Sequence, residues 1–190
     1  MFGSKLNTED VNIWITSDLH FDHANILKFC PDTRPYRSKE GMNVALIQEW
    51  NTKVQPDDVV IHLGDFCFKG VEATEGFLCQ LNGKKILIHG NHDKALRNNI
   101  SVGKYDILWK GDYLELQINK QKVVFSHYPM TTWNQCGRGA IQLYGHCHGS
   151  LTEPKGRQTD VGYDARGKIE NIVDVIREMN KKEIYTPDHH

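Results

Sequence analysis

In Lys85-Ile86-Leu87-Ile88-His89-Gly90-Asn91-His92-Asp93 a short strand-like run stops abruptly, and polar side chains able to bind metal follow at once. The same event recurs on either side of it. Val11 to Thr16 ends in Ser17-Asp18-Leu19-His20, and Val59 to Leu63 ends in Gly64-Asp65. Val123 to Ser126 ends in His127, and Ile141 to Tyr144 ends in Gly145-His146-Cys147-His148. In open α/β sheets the crevice at the carboxyl ends of strands is where ligands bind, so clusters far apart in sequence can converge there. The alternation of short apolar runs with helical patterns makes the chain an α/β or mixed α+β domain.

The helical patterns lie between the runs. Ser38 is a candidate N-cap, followed by Met42, Ala45, Leu46 and Trp50 at helical spacing. Thr74, Phe77, Leu78 and Leu81 form a second stripe that Gly83 is expected to stop. Ile169, Ile172, Val173 and Ile176 form a third. Tyr113 to Ile118 alternates with period two and reads as a strand joined to Val123 by a short turn. No internal repeat, low-complexity tract or linker interrupts the chain. A single domain over 1–190 is expected, with its motif core at about 13–149 and loose termini at 1–10 and 185–190.

The chain's 190 residues can bury a substantial core. Its 23 basic and 24 acidic residues leave a net charge of -1, without the basic excess of an extended nucleic-acid surface. No apolar run approaches the ~20 residues of a membrane span, and Met1 to Asp10 lacks the apolar segment of a secretory signal. The five cysteines, Cys30, Cys67, Cys79, Cys136 and Cys147, are odd in number and show no CxxC spacing. A reducing, cytoplasmic setting is therefore expected. Nothing in the sequence specifies the oligomeric state, or whether the terminal His189 and His190 are native.

Taken singly, the polar clusters have bland readings. Asp18 and His20 are two apart, so in extended backbone both would face one side, as would His146 and His148. Asp65 suits a cap or turn, and Asn91-His92-Asp93 suits a turn. Together they would need five coincidences, each at a strand end and each drawn from Asp, His and Asn. The charge sum favours a two-ion site. Two divalent ions bring four positive charges, Asp18 and Asp65 bring two negative ones, and a bridging hydroxide removes another. About +1 remains to receive a phosphate. Mixed imidazole and carboxylate donors suit Mn, Fe, Zn or Co, with manganese favoured here, over Ca or Mg.

The ordered set Asp18-x-His20, Gly64-Asp65, Gly90-Asn91-His92-Asp93, His127 and Gly145-His146-x-His148 resembles the calcineurin-like metallophosphoesterase superfamily. The resemblance implies a four-layer sandwich, two facing mixed β-sheets flanked by helices, with the site at the strand ends. It implies that Asp18, His20 and His148 hold a first metal, that Asp65 bridges, and that Asn91, His127 and His146 hold a second. His92 would be catalytic without ligating, approaching the substrate to protonate or stabilise the leaving oxygen. One departure matters. Protein serine/threonine phosphatases of the superfamily carry GDxVDRG, where this chain has Gly64-Asp65-Phe66-Cys67-Phe68-Lys69-Gly70, and a glutamate where it has Asp93. The acid that would orient the catalytic histidine is replaced by Phe68. His20-Phe21-x-His23-x-Asn25-Ile26, Arg34-Pro35, Met42-Asn43 and Trp50-Asn51 are similar to small, single-domain bacterial and phage members.

The expected activity is hydrolysis of phosphate esters, diesters or monoesters of small nucleotide type, by a metal-bridging hydroxide with His92 assisting the leaving group. A DNA or RNA nuclease on the same fold is an alternative, but it calls for a basic surface. A non-catalytic binding scaffold is another, but it would lack ligands. His23 and Asn25 are candidates to line the substrate pocket or to cap the next helix. Arg34, Arg37 and Arg138 are candidates to grip phosphate, or else solvated arginines. Trp133, Arg138, Lys155 and Arg157 lie on loops, Pro129 to Ala140 and Ser150 to Gln158, expected to overhang a small ligand. His62 and His89 are read as structural histidines, and Cys67 and Cys147 as core thiols turned away from the site by alternation.

Overall fold

The computed structural model describes residues 3–187, so His189 and His190 lie outside it. Each strand-like run of the sequence forms a strand. One sheet holds β2 (Ile13–Thr16), β3 (Val59–His62), β4 (Lys84–Ile88) and β5 (Ile107–Gly111), all parallel, with β10 (Glu170–Asn171) antiparallel to β2 at its edge. The other runs in the order β1 (Lys5–Leu6), β6 (Tyr113–Ile118), β7 (Gln121–Ser126), β8 (Ile141–Tyr144), β9 (Gln158–Asp160). There β7, β8 and β9 are parallel, while β6 returns antiparallel to β7. The Asn119-Lys120 turn between them has positive φ at both residues, the handedness a two-residue hairpin needs.

Period-two alternation explains how the sheets stack. Ile13, Ile15, Ile61, Ile86 and Ile88 pack face to face with Leu116, Ile118, Val123, Phe125, Ile141 and Leu143 to form the core between the sheets. The intervening Val60 and Leu87 point the other way, into a second core with Met42, Leu46 and Trp50 of α2 (Lys39–Lys53) and Leu78 of α3 (Val71–Leu78). Ser38 caps α2, its hydroxyl accepting from the Gly41 N–H at 3.1 Å. The chain is thus two mixed sheets flanked by helices. Among the described residues no helix is long and apolar enough to cross a membrane.

Four details depart from the sequence reading. α3 ends at Leu78, short of Gly83, whose φ of +82° instead lets the chain pass Val54 and Asp58 into β4. The last helix, Ile172–Met179, buries Ile172, Val175 and Met179, while Ile169 joins the other core before the helix begins. Lys5–Leu6 is not loose but pairs with β6. The segment 129–140, expected to overhang a small ligand, packs instead onto its own sheet. Its Trp133 is buried against Val124, Cys136 and Ala140 on the outer face of the β6–β9 sheet, and its indole N–H bonds the Ala140 carbonyl at 2.9 Å.

Candidate metal centre

The carboxyl ends of β2, β3, β4, β7 and β8 meet, and every ligand candidate sits on the first residues past one of these ends. The backbone there is not extended. Asp18, His20, Asp65, His146 and His148 all have φ between 47° and 67°, in the left-handed region that Asp and His enter more readily than most residues. Alternation therefore does not aim these side chains; tight left-handed turns do. Hydrogen bonds between loops hold the turns, from Asp18 N to Gly64 O at 2.9 Å and from His20 N to Asp65 O at 3.0 Å. The backbone N–H of His146 donates to Asp18 Oδ2 at 2.9 Å. Gly145 and Gly90 make room for the two carboxylates. A Cβ on Gly145 would lie 2.4 Å from Asp18 Oδ2, and one on Gly90 would lie 2.1 Å from Asp65 Oδ1.

The side chains gather into two sets, Asp18 with His20 and His148, and Asp65 with His127 and His146, each with donor atoms within 4.8 Å of one another. Asp65 Oδ2 stands 3.7 Å from His20 Nε2 of the first set and 3.6 Å from His127 Nε2 of the second. His20 Nε2 and His148 Nε2 each lie 3.9 Å from Asp18 Oδ1. Asn91 Oδ1 lies 3.0 Å from His127 Nε2. Separations of 3.6–3.9 Å are too long for hydrogen bonds. They approach the ~3–3.6 Å spacing of donors that each sit about 2.1 Å from a common ion. Among the described residues, Asp18 Oδ1 and both ring nitrogens of His20 are buried without a hydrogen-bond partner. Buried polar atoms are ordinarily paired, and a cation is the partner this donor set fits.

Electrostatics agree with that fit. Burial pushes the Asp18 carboxyl up to about 7, so an isolated negative charge is costly there. Burial also drops His20 to about 2 and lowers His127, leaving neutral imidazoles with lone pairs to offer. His148 goes the other way. Burial pulls it down, but the hydrogen bond to Asp164 and the charges of Asp18 and Asp164 outweigh burial and raise it.

The remaining candidates divide. His92 is exposed at the rim, its ring 5.8 Å from His20 and 4.9 Å from Phe68. Its backbone N–H donates to Asp65 Oδ1 at 2.9 Å, and among the described residues its ring makes no hydrogen bond. Phe68 and the main chain, rather than an acid, hold it. His23 takes the helix-start role foreseen for it. Its Nδ1 accepts the Ile26 N–H at 3.0 Å, starting α1 (Ile26–Phe29), and its ring lies 3.7 Å from Phe68. Asn25 occupies the cap position without a side-chain capping bond and lines a small pocket of about 190 Å³ with His23, Lys39, Phe68 and Lys69. Arg37 is exposed and makes no hydrogen bond among the described residues.

Arg138 is a correction. It precedes β8 and lines a cavity with Gln121, Lys122 and Arg157 at the amino ends of β7–β9, the opposite edge from the ligands. Arg157 is there too, bonded to Asn180 and Lys182, and Lys155 lies over the Tyr185 ring. His62 and His89 are buried, one accepting from the Gly64 N–H and the other paired with Asp112. Cys67 is buried, but Cys147 is only half-buried and lines a cavity of about 530 Å³ with Cys30, His146 and His148.

Three neighbours of the candidate ligands have roles in the fold that the sequence reading did not foresee. Asp93 accepts from the N–H groups of Asp65, Phe66 and Gly90 at 2.7–2.9 Å, locking the β3 and β4 loops together. Arg34 is neither a phosphate clamp nor solvated; it is fully buried against Asp164. Asp164 in turn contacts His148. The signal for it was a sixth strand end, but Gln158-Thr159-Asp160 of β9 is polar, so no apolar run marks it.

Residues 11–175 match the model of the calcineurin-like phosphoesterase family. An uncharacterized protein of Methanocaldococcus jannaschii, MJ1445, is 33% identical over 178 residues, covering 90% of this chain and 92% of that protein. The Gene 66 protein of Mycobacterium phage D29 is 29% identical, covering 88% and 95%. A solved structure of a protein of unknown function from Aquifex aeolicus, AQ665, superposes with a TM-score of 0.66 at 21% identity, over 90% of this chain and 98% of that one, and supports the fold. With its ligand candidates gathered at the strand ends and its sequence matched over nearly the whole length, the chain belongs to the calcineurin-like phosphoesterase family.

Proposed function

We propose that this protein is a phosphoesterase working with two divalent transition-metal ions, manganese being the first to test among Mn, Fe, Zn and Co. The observation that carries it is the position of Asp65 Oδ2, within 3.7 Å of a histidine in each ligand set. One carboxylate between two sets is what holds two ions close enough to act on one phosphate. When bound, the ions supply Lewis-acid stabilisation of the phosphate and lower the pKa of an attacking water.

The chain's own residues do the rest. Asp18, His20 and His148 would hold one ion, Asn91, His127 and His146 the other, and Asp65 would serve both. His92 stands free of both sets, its exposed ring 5.8 Å from that of His20. It gives a proton from a ring nitrogen to the departing oxygen, which places the leaving group beside it, over Phe68. Substrate class follows from that placement. Phe68 beside His92 and Tyr128 beside His146 are 43% and 50% exposed, apolar faces suited to a planar group. Lys69 and Lys39 border the same side. A small nucleotide-type diester or monoester fits this rim better than a folded phosphoprotein, and the five free cysteines support a reducing, cytoplasmic setting.

The test is hydrolysis of nitrophenyl phosphate, bis-nitrophenyl phosphate, nucleoside monophosphates and cyclic nucleotides by protein loaded with Mn, with metal content measured in parallel. Two ions per chain and turnover abolished by chelation are expected, and both should be lost in Asp65→Ala. A wild type that holds fewer than two ions, or that turns over no ester, would refute the proposal.

A further inference from the structure

Arg34 is 1% exposed, and all five of its N–H groups are used. Nε donates to Asp164 Oδ1 at 2.8 Å and Nη2 to Asp164 Oδ2 at 2.9 Å, a two-pronged pair. The other Nη2 hydrogen goes to the Asp18 carbonyl at 2.6 Å, and Nη1 donates to the Leu19 carbonyl at 2.9 Å and to Met42 Sδ at 3.3 Å. A lysine, with three donors on one nitrogen, cannot reproduce this fork. Thr33 Oγ1 donates to Asp164 Oδ1 at 2.5 Å as well. So fixed, Asp164 has one remaining direction, and there Oδ2 meets His148 Nδ1 at 2.6 Å.

A carboxylate against Nδ1 keeps a hydrogen on that nitrogen and leaves the Nε2 lone pair to face Asp18 Oδ1, 3.9 Å away. We infer that Asp164, held by Arg34, is the positioning residue of the first metal site: it sets the tautomer and the ring plane of His148. The same arginine grips the left-handed turn that carries Asp18 and His20, so one side chain ties both halves of that ligand set, 130 residues apart. Cys30 also approaches His148 Nδ1, at 3.8 Å, and Cys30, His148 and Asp164 lie close enough to hold an ion of their own. They do not read as a separate site, because both Asp164 oxygens are engaged by Arg34 and burial pushes the Cys30 thiol up to about 11. The inference rests on the proposed role of His148 as a ligand.

Asp164→Asn tests it, since an amide N–H turned toward Nδ1 favours the opposite tautomer. Stepwise Mn titration against a chromophoric chelator should find one of the two sites weakened about 10–100-fold, the usual effect of losing such a partner. The other site should be unchanged. Arg34→Lys should weaken the same site with a smaller effect, which keeps the test alive if Asp164→Asn folds poorly. A second readout needs no metal. Histidine ¹⁵N NMR of the metal-free protein, at a pH where the His148 ring is neutral, should find the Nδ1–H tautomer in the wild type and its loss in Asp164→Asn. Unchanged affinity at both sites, or equal weakening of both, would overturn the inference. Should the wild type bind no metal, the proposed function fails, and the tautomer measurement still decides whether Asp164 orients His148.

Discussion

Five of the seven ligand candidates hold a left-handed backbone, a conformation that costs of order 1 kcal/mol or more for a residue with a Cβ. Such strain persists only where neighbours over-determine it, and here they do. Asp93 binds three N–H groups of the adjoining loops, and Arg34 binds two carbonyls of the Asp18 turn. His92 stands outside this scaffolding, with an ordinary backbone and an unbonded ring. In His92→Ala, therefore, metal content should stay at the wild-type level while kcat falls by roughly 10²–10⁴, the range for loss of a general acid. The defect should shrink for nitrophenyl leaving groups, which depart with little help. Comparing metal analysis and kcat for alkyl and nitrophenyl esters checks this, and a variant that loses its ions would place His92 among the ligands. The ligand candidates were legible from residue type together with their recurrence at strand ends, since Asp, His and Asn are donors a two-ion site can take. Their aim was not legible. Extended alternation places Asp18 and His20 on one side for a reason that does not apply, because φ is a property of the folded loop. Arg34 failed for a similar reason: a buried arginine has the same letter as a solvated one, and only its partner Asp164, distant in sequence, tells them apart.

At the scale of elements, the strands are position markers: wherever an apolar strand ended, the site could be read. It could not be read where the strand itself was polar, as in β9, and Asp164, four residues past its end, was missed with it. Helix ends were less legible. Gly83 has the expected positive φ but uses it to enter β4, because the Leu81 side chain is buried beyond the end of α3 rather than on it. β3 carries a further consequence. Its last residue, His62, is completely buried beside Phe66, and burial, with a smaller push from His127, lowers it to about 3. An unfolded chain titrates the same ring near its ordinary value of about 6.5. The folded pKa is the lower one, so the stabilising contribution is complete above about pH 6.5 and is lost as pH falls toward 3, where the unfolded chain takes up the proton first. The slope approaches 1.4 kcal/mol per pH unit for one such group. Urea unfolding of the metal-free protein at about pH 7.5 and about pH 5 should find that the wild type loses more stability on acidification than His62→Gln, whose amide oxygen can still accept the Gly64 N–H. Equal losses in the two proteins would assign the acid sensitivity elsewhere.

Across the whole molecule the two ligand sets have the same construction, and it crosses the core. Asp18 and His20 leave the β2–β5 sheet while His148 leaves the β6–β9 sheet; Asp65 and Asn91 leave the first while His127 and His146 leave the second. Each ion would therefore join the two sheets at the carboxyl ends of their parallel strands. Without the ions, that end holds a buried, neutral His20, an Asp18 carboxyl that burial drives toward protonation, and, among the described residues, buried polar atoms without partners, all of which weaken it. Ligand binding to the folded state alone stabilises by mass action, about 2.7 kcal/mol per site at a hundredfold excess over Kd. For a domain of this size each kcal/mol raises Tm by about 2–4 °C. Adding Mn to chelator-stripped protein should thus raise Tm by about 5–10 °C or more. In Asp65→Ala, which removes the carboxylate between the sets, most of that rise should vanish, although each sheet keeps its own hydrogen bonds and hydrophobic contacts. Calorimetric scans of both proteins with and without Mn decide the matter. A Tm indifferent to metal in the wild type would mean that the ions sit on a finished scaffold and do not join its sheets.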